Sequence, residues 1–109
     1  MAKKEQIQAE KSSGNVFADL GLPNPERELL KAHLTLRIYN LIKERGLRQA
    51  AAGKILGIKQ PHVSALMRNR SGNFSVARLM DFLTALDQDV EITVGPKREA
   101  QAKMSVVVR

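Results

Sequence analysis

Two glutamines, Gln49 and Gln60, stand eleven residues apart, and the second leads directly into Pro61, His62, Val63, Ser64 and Ala65. A carboxamide carries a donor and an acceptor side by side, which suits a paired hydrogen bond to the major-groove edge of adenine. A serine hydroxyl can bond either kind of edge, and an alanine methyl can touch that of thymine. Gln49, Gln60, His62, Ser64 and Ala65 are therefore the candidates for base contact. Arg48, Lys54, Lys59, Arg68, Asn69 and Arg70 flank them and are better suited to phosphate. For each glutamine a solvated surface residue is the bland alternative, and His62 is the weakest candidate. Catalysis would need a nucleophile with its base, or a cluster of carboxylates or metal ligands. The acids lie apart from His33 and His62, and no ligand spacing is visible. The expectation is binding without turnover: no catalytic residue, no metal and no cofactor.

Charge points the same way. The chain has 109 residues and a formal charge of +7. That sign alone would suit nucleic acid, an anionic membrane surface or an acidic protein. Its distribution is more selective. Leu47 to Met80 holds six bases (Arg48, Lys54, Lys59, Arg68, Arg70, Arg78) and no acid, whereas Asp81 to Gly95 holds four acids (Asp81, Asp87, Asp89, Glu91) and no base. Solvated faces usually mix signs, so an acid-free stretch of this length favours an anion-binding surface. No cysteine is present, which excludes disulfides and thiolate metal sites and fits a reducing compartment. Met1 to Lys11 is polar and mixed in charge, with no signal-like or spanning run, so a cytoplasmic location without membrane contact is expected.

The length suits one core, and with four aromatic residues that core must be filled by Leu, Ile, Val and Ala, a composition that favours helices. Asn24-Pro25-Glu26 reads as a helix start and Gly46 as its stop. Between them Leu30, Leu34, Ile38, Leu41 and Ile42 form one apolar stripe. Two short helices are expected over about 48–56 and 60–67, because Gly57 suits a left-handed cap and Pro61 would break a continuing helix. Asn69 to Asn73 reads as a loop. Ser75 then caps a fourth helix with Val76, Leu79, Met80, Leu83 and Leu86 on one face. Beyond Gln88 the period becomes two: Val90, Ile92 and Val94 alternate with Glu91 and Thr93, and Met104 to Val108 is a second strand candidate. The expected fold is mainly α, four main helices with a short C-terminal β element. The expected division is an arm with an apolar segment (1–24), a helical domain (25–88) and C-terminal strands (89–109). Val16, Phe17, Leu20 and Leu22 are expected to be buried, as a brace, a dimer contact or a partner site.

Residues 49–66 meet the requirements of a helix-turn-helix. A small residue, Gly53, stands where the helices cross, Gly57 is at the turn, and Leu56, Ile58, Val63 and Leu66 are placed to lock the second helix. The opening Gln49 and the run Gln60-Pro61-His62-Val63-Ser64 resemble the lambda-repressor-like, or XRE, family, in which the second helix of the motif enters the major groove. Gly53 departs from the family's usual Ala; both are small, and the expected cost is helix propensity, about 1 kcal/mol. Residues 14–21, the motif, Phe74 to Leu79 and Asp89 to Ile92 together are similar to the HigA-type antitoxin and regulator subfamily, over about 14–95. That resemblance implies a bacterial repressor, often encoded beside a ribosome-dependent RNase toxin, and hence a toxin protein as a further partner.

One helix-turn-helix touches few base pairs, so a two-fold homodimer on a pseudo-palindromic double-stranded operator is expected. Val90, Ile92, Val94, Val106, Val107 and Val108 are the candidates for its interface. The alternative is pairing within one chain. A competing functional class is a protein-binding antitoxin whose basic face neutralises a toxin with little operator specificity. RNA binding lacks paired aromatics on strands.

Overall fold

A computed structural model describes residues 20–21, 24–68 and 74–109. Four helices follow one another: α1 (Pro25–Glu44), α2 (Gln49–Leu56), α3 (Gln60–Met67) and α4 (Val76–Ala85). The chain divides into two compact units, one of residues 31–96 and the other of residues 97–109 with the chain before Lys31.

In the larger unit, α2 packs on both α3 and α4. The core takes Leu34, Ile38, Leu41 and Ile42 from α1, Ala52 and Leu56 from α2, Val63 and Leu66 from α3, and Leu79, Phe82 and Leu83 from α4, closed by Phe74 and Leu86. The expected stripes are present, with differences at their edges. Val76 and Met80 are only half-buried, while Phe82 is in the core and Thr35 is fully buried. Thr35 is tolerated there because its hydroxyl donates to the Lys31 carbonyl at 2.8 Å.

The helix stops follow from local chemistry. Gly46 and Gly57 take left-handed φ values of 61° and 73°, and Leu47 N–H returns to the Ile42 carbonyl. Helix α4 ends the same way without a glycine. Asp87 adopts φ 64°, the Gln88 N–H returns to Leu83 O, and the Arg45 guanidinium holds the corner by donating to Leu86 O and lying 3.9 Å from the Asp87 carboxylate. Arg37 reaches Gln88 Oε1 at 3.4 Å.

Two expectations fail here. No strand occurs among the described residues: 89–96 and 102–109 carry no regular secondary structure. A strand needs a neighbour to take its N–H and C=O groups, and the alternation at Val90, Ile92 and Val94 supplies the side chains without that neighbour. Leu20, expected to be buried, is 69% exposed; Gly21 turns the chain at φ 73° beside it, and nothing described covers the side chain. Val16, Phe17, Leu22 and the 69–73 loop lie outside the described residues.

In the smaller unit, Glu99 and Lys103 form an exposed ion pair at 2.9 Å. The ammonium donates to the carboxylate and holds the Glu99 carboxyl below the usual carboxylate range.

Candidate nucleic-acid interface

The turn between α2 and α3 is built on Gly53. Its carbonyl accepts from both Gly57 N at 2.8 Å and Ile58 N at 3.0 Å, which folds the Gly57-Ile58-Lys59 link back over α2. A Cβ at position 53 would lie 2.8 Å from the Ile58 carbonyl oxygen and 3.5 Å from Val63 Cγ2. Smallness is therefore not sufficient at this crossing, because backbone occupies the space an alanine would need. The sequence reading of Gly53 as interchangeable with alanine at a cost in propensity is corrected: glycine is what admits the turn.

The turn brings the two glutamines together. Gln49, Ala50, Lys54, Lys59 and Gln60 line one open concavity with Gly53, Gly57 and Ile58. Gln60 is exposed and Gln49 half-buried. On α3 the 3.6-residue period that buries Val63 and Leu66 turns Pro61, Ser64, Ala65 and Arg68 to the opposite side, with Gln60 and His62 on its flanks. Ser64 and Ala65 are half-buried, and Arg68 is exposed. His62 is turned toward α4. Its ring meets Phe74 edge-on with centroids 6.0 Å apart, and Phe74 in turn meets Phe82 at 5.1 Å.

The helix starts carry the electrostatics. Arg48 and Lys59 occupy the N-cap positions of α2 and α3 in extended geometry, and neither terminus has a side-chain cap. The first backbone bond of α2 is Ala52 N to Arg48 O, so the amides of Gln49, Ala50 and Ala51 lead out of the helix end. At α3 Pro61 has no N–H, and His62 N turns back on Lys59 O at 2.9 Å. Uncapped amides, the positive end of a helix dipole and a cationic N-cap residue together suit a phosphate, and α2 offers more open donors than α3.

Residues 16–95 match a family model described as a helix-turn-helix domain. A solved structure described as an XRE-family transcriptional regulator is 45% identical, with a TM-score of 0.76 and a match that covers 80% of this chain and 100% of that one. The chain belongs to the XRE helix-turn-helix family. None of the curated proteins matches it.

Within this XRE domain, Arg48, Lys54, Lys59 and Arg68 are all exposed around the motif. Asn69 and Arg70, also expected at phosphate, lie outside the described residues. The sequence reading missed Arg78. It lines a second open concavity with Ile58, Lys59, His62, Phe74 and Ser75, its guanidinium 5.2 Å from the centre of the Phe82 ring. Its signal was present, since Arg78 is the last base of the acid-free run, but a position on another helix gave no indication that it adjoins Lys59. No described helix is long and apolar enough to cross a membrane.

Proposed function

We propose that the protein is a sequence-specific regulator that binds a pseudo-palindromic double-stranded operator as a two-fold homodimer, and that it represses its own operon as a HigA-type antitoxin beside a toxin. It acts by binding, without a chemical step. Helix α3 enters the major groove, with Gln60, Ser64 and Ala65 toward base edges and Gln49 beside them. His62 supports α3 from its flank. Arg48, Lys54, Lys59 and Arg68 hold the backbone, and Arg78 extends that cationic surface on the α4 side.

The observation that carries the reading is the concavity on which Gln49 and Gln60 converge, edged by Lys54 and Lys59 and next to the uncapped start of α2. Membership of the XRE family supports the regulator role. The antitoxin role rests on the resemblance of residues 14–95 to the HigA subfamily.

Random-site selection with purified protein tests the proposal. A recovered site with two related half-sites is the expected result, and a pool without consensus would instead favour the protein-binding antitoxin. On the selected site Gln60→Ala should lose about 1 to 3 kcal/mol and relax preference at one base pair. Arg68→Ala should weaken all sequences alike and flatten the salt dependence. An unchanged ratio of selected to scrambled DNA for Gln60→Ala would overturn the recognition-helix assignment.

A further inference from the structure

We propose that His62, Lys59 and Arg78 form one seat for a backbone phosphate of the DNA, and that filling this seat couples DNA binding to uptake of a proton by His62. The inference rests on the DNA-binding reading above and adds to it a dependence on pH.

The seat is assembled from two helices. Lys59 is the N-cap residue of α3, and His62, whose amide returns to the Lys59 carbonyl at 2.9 Å, stands one turn further on. Arg78 comes from the first turn of α4. All three residues are exposed, and they line one open concavity with Ile58, Phe74 and Ser75. Two core rings support its sides. The His62 ring lies 6.0 Å from that of Phe74, the Arg78 guanidinium lies 5.2 Å from the centre of Phe82, and the two phenylalanine rings meet at 5.1 Å. Phe74 is 8% and Phe82 2% exposed, so the imidazole and the guanidinium rest on one packed aromatic step, and their separation is set by the core.

The charges facing His62 have one sign. Lys59 faces it from α3 and Arg78 from α4, and no acid is among the described residues that line the concavity. Ser75 is engaged in the cap of α4, where its Oγ accepts from Arg78 N. Asp81, one turn beyond Arg78, is not a lining residue. The concavity shares Ile58 and Lys59 with the one on which Gln49 and Gln60 converge, so a duplex read by α3 carries its backbone past this flank.

A neutral imidazole offers a phosphate one N–H, whereas the imidazolium offers two donors and a full charge. A phosphate lying among these three side chains therefore favours the charged form. Histidine is the side chain whose ordinary titration falls between about pH 5 and 8, and a group that takes up a proton on binding makes affinity rise as pH falls through that range.

The test is affinity measured from pH 8 to pH 5.5 with the full chain, on the selected operator and on a duplex of random sequence, since a phosphate contact is independent of sequence. The parent should bind both duplexes about tenfold more tightly at pH 5.5 than at pH 8, with a salt slope steeper by about one at the lower pH. His62→Gln should bind with little change over the range, and His62→Lys should bind at pH 8 as tightly as the parent does at pH 5.5, both with unchanged helical circular dichroism. His33, the other histidine, lies on α1 and lines neither concavity, so His33→Gln should keep the parent's pH dependence. A parent whose affinity is flat across the range, a His62→Gln chain that keeps the full slope, or a salt slope that does not change with pH would overturn the coupling while leaving the DNA-binding reading in place. A chain that binds neither duplex at any pH would overturn that reading, and the coupling with it.

Discussion

The amino ends of α2 and α4 differ in a way that separates structural from ligand-facing chemistry. At α4, Ser75 holds an extended N-cap geometry and its Oγ accepts from Arg78 N at 3.0 Å, so the helix satisfies its own first turn. At α2 the same backbone geometry carries Arg48, which has no oxygen to offer, and the leading amides are left for something else. A Ser, Thr, Asp or Asn at such a position is worth about 1 kcal/mol. A helix start that forgoes this stabilisation and places a cation there instead suits an external anion, as the proposed phosphate contact at Arg48 requires. Helix α3 repeats the pattern with Lys59, with fewer donors because of Pro61.

The largest effect is expected at the turn that sets the start of α3 against α2. Gly53→Ala gains about 1 kcal/mol of helix propensity, but its Cβ meets the Ile58 carbonyl at 2.8 Å. The turn must then open, with a net loss of about 1 to 3 kcal/mol as in other overpacked sites. Urea unfolding measures the loss, and operator affinity should fall further than stability because α3 is re-aimed. A variant as stable as the parent would show that the turn yields freely.

Arg48→Asp should move stability and binding in opposite directions. The new carboxylate caps α2 and suits its dipole, raising stability by about 1 kcal/mol, while reversing a charge at the DNA backbone lowers affinity about tenfold or more and reduces the salt slope. A simultaneous rise in both would remove the distinction between the two helix starts. Ser75→Ala should do less: about 1 kcal/mol of stability is lost with the cap, with operator affinity almost unchanged. A large binding defect would show that the Ser75 cap is needed to hold Arg78 in its place on the cationic surface.

The smallest effect is expected at Glu99. Its carboxyl is held below the usual carboxylate range by the hydrogen bond and charge of Lys103, with Arg98 adding to the charge. A depressed folded-state value means that any stabilisation is present at neutral pH and lost as pH falls through the carboxylate range. The pair is fully exposed, so Glu99→Gln should leave the melting temperature almost unchanged at neutral pH and unchanged at about pH 3.

The helices were legible because their signals are local. Gly46 and Gly57 adopt the left-handed angles their positions required, Pro61 opens α3, Ser75 caps α4, and the periodic stripes at Leu34, Ile38, Leu41 and Ile42 and at Leu79, Leu83 and Leu86 are buried. The motif was legible for the same reason: within a helix-turn-helix, eighteen consecutive residues carry most of the constraints, and spacing along the chain is nearly distance in space. Residues 90–94 and 104–108 carry no strand in the single chain, because alternation specifies which side chains share a face and says nothing about who supplies the neighbouring backbone.

By itself the sequence determined the four helices, their buried faces, the helix-turn-helix and the cationic run from Arg48 to Arg78, all set by intervals of a few residues. Only the tertiary structure decided that a side chain at position 53 meets backbone, because the obstructing atom belongs to the carbonyl of Ile58 folded back across the helix. It also decided that His62 turns to Phe74 and that Arg78 adjoins Lys59. These are contacts between elements, fixed by how α2, α3 and α4 pack, and no periodicity within one element encodes them.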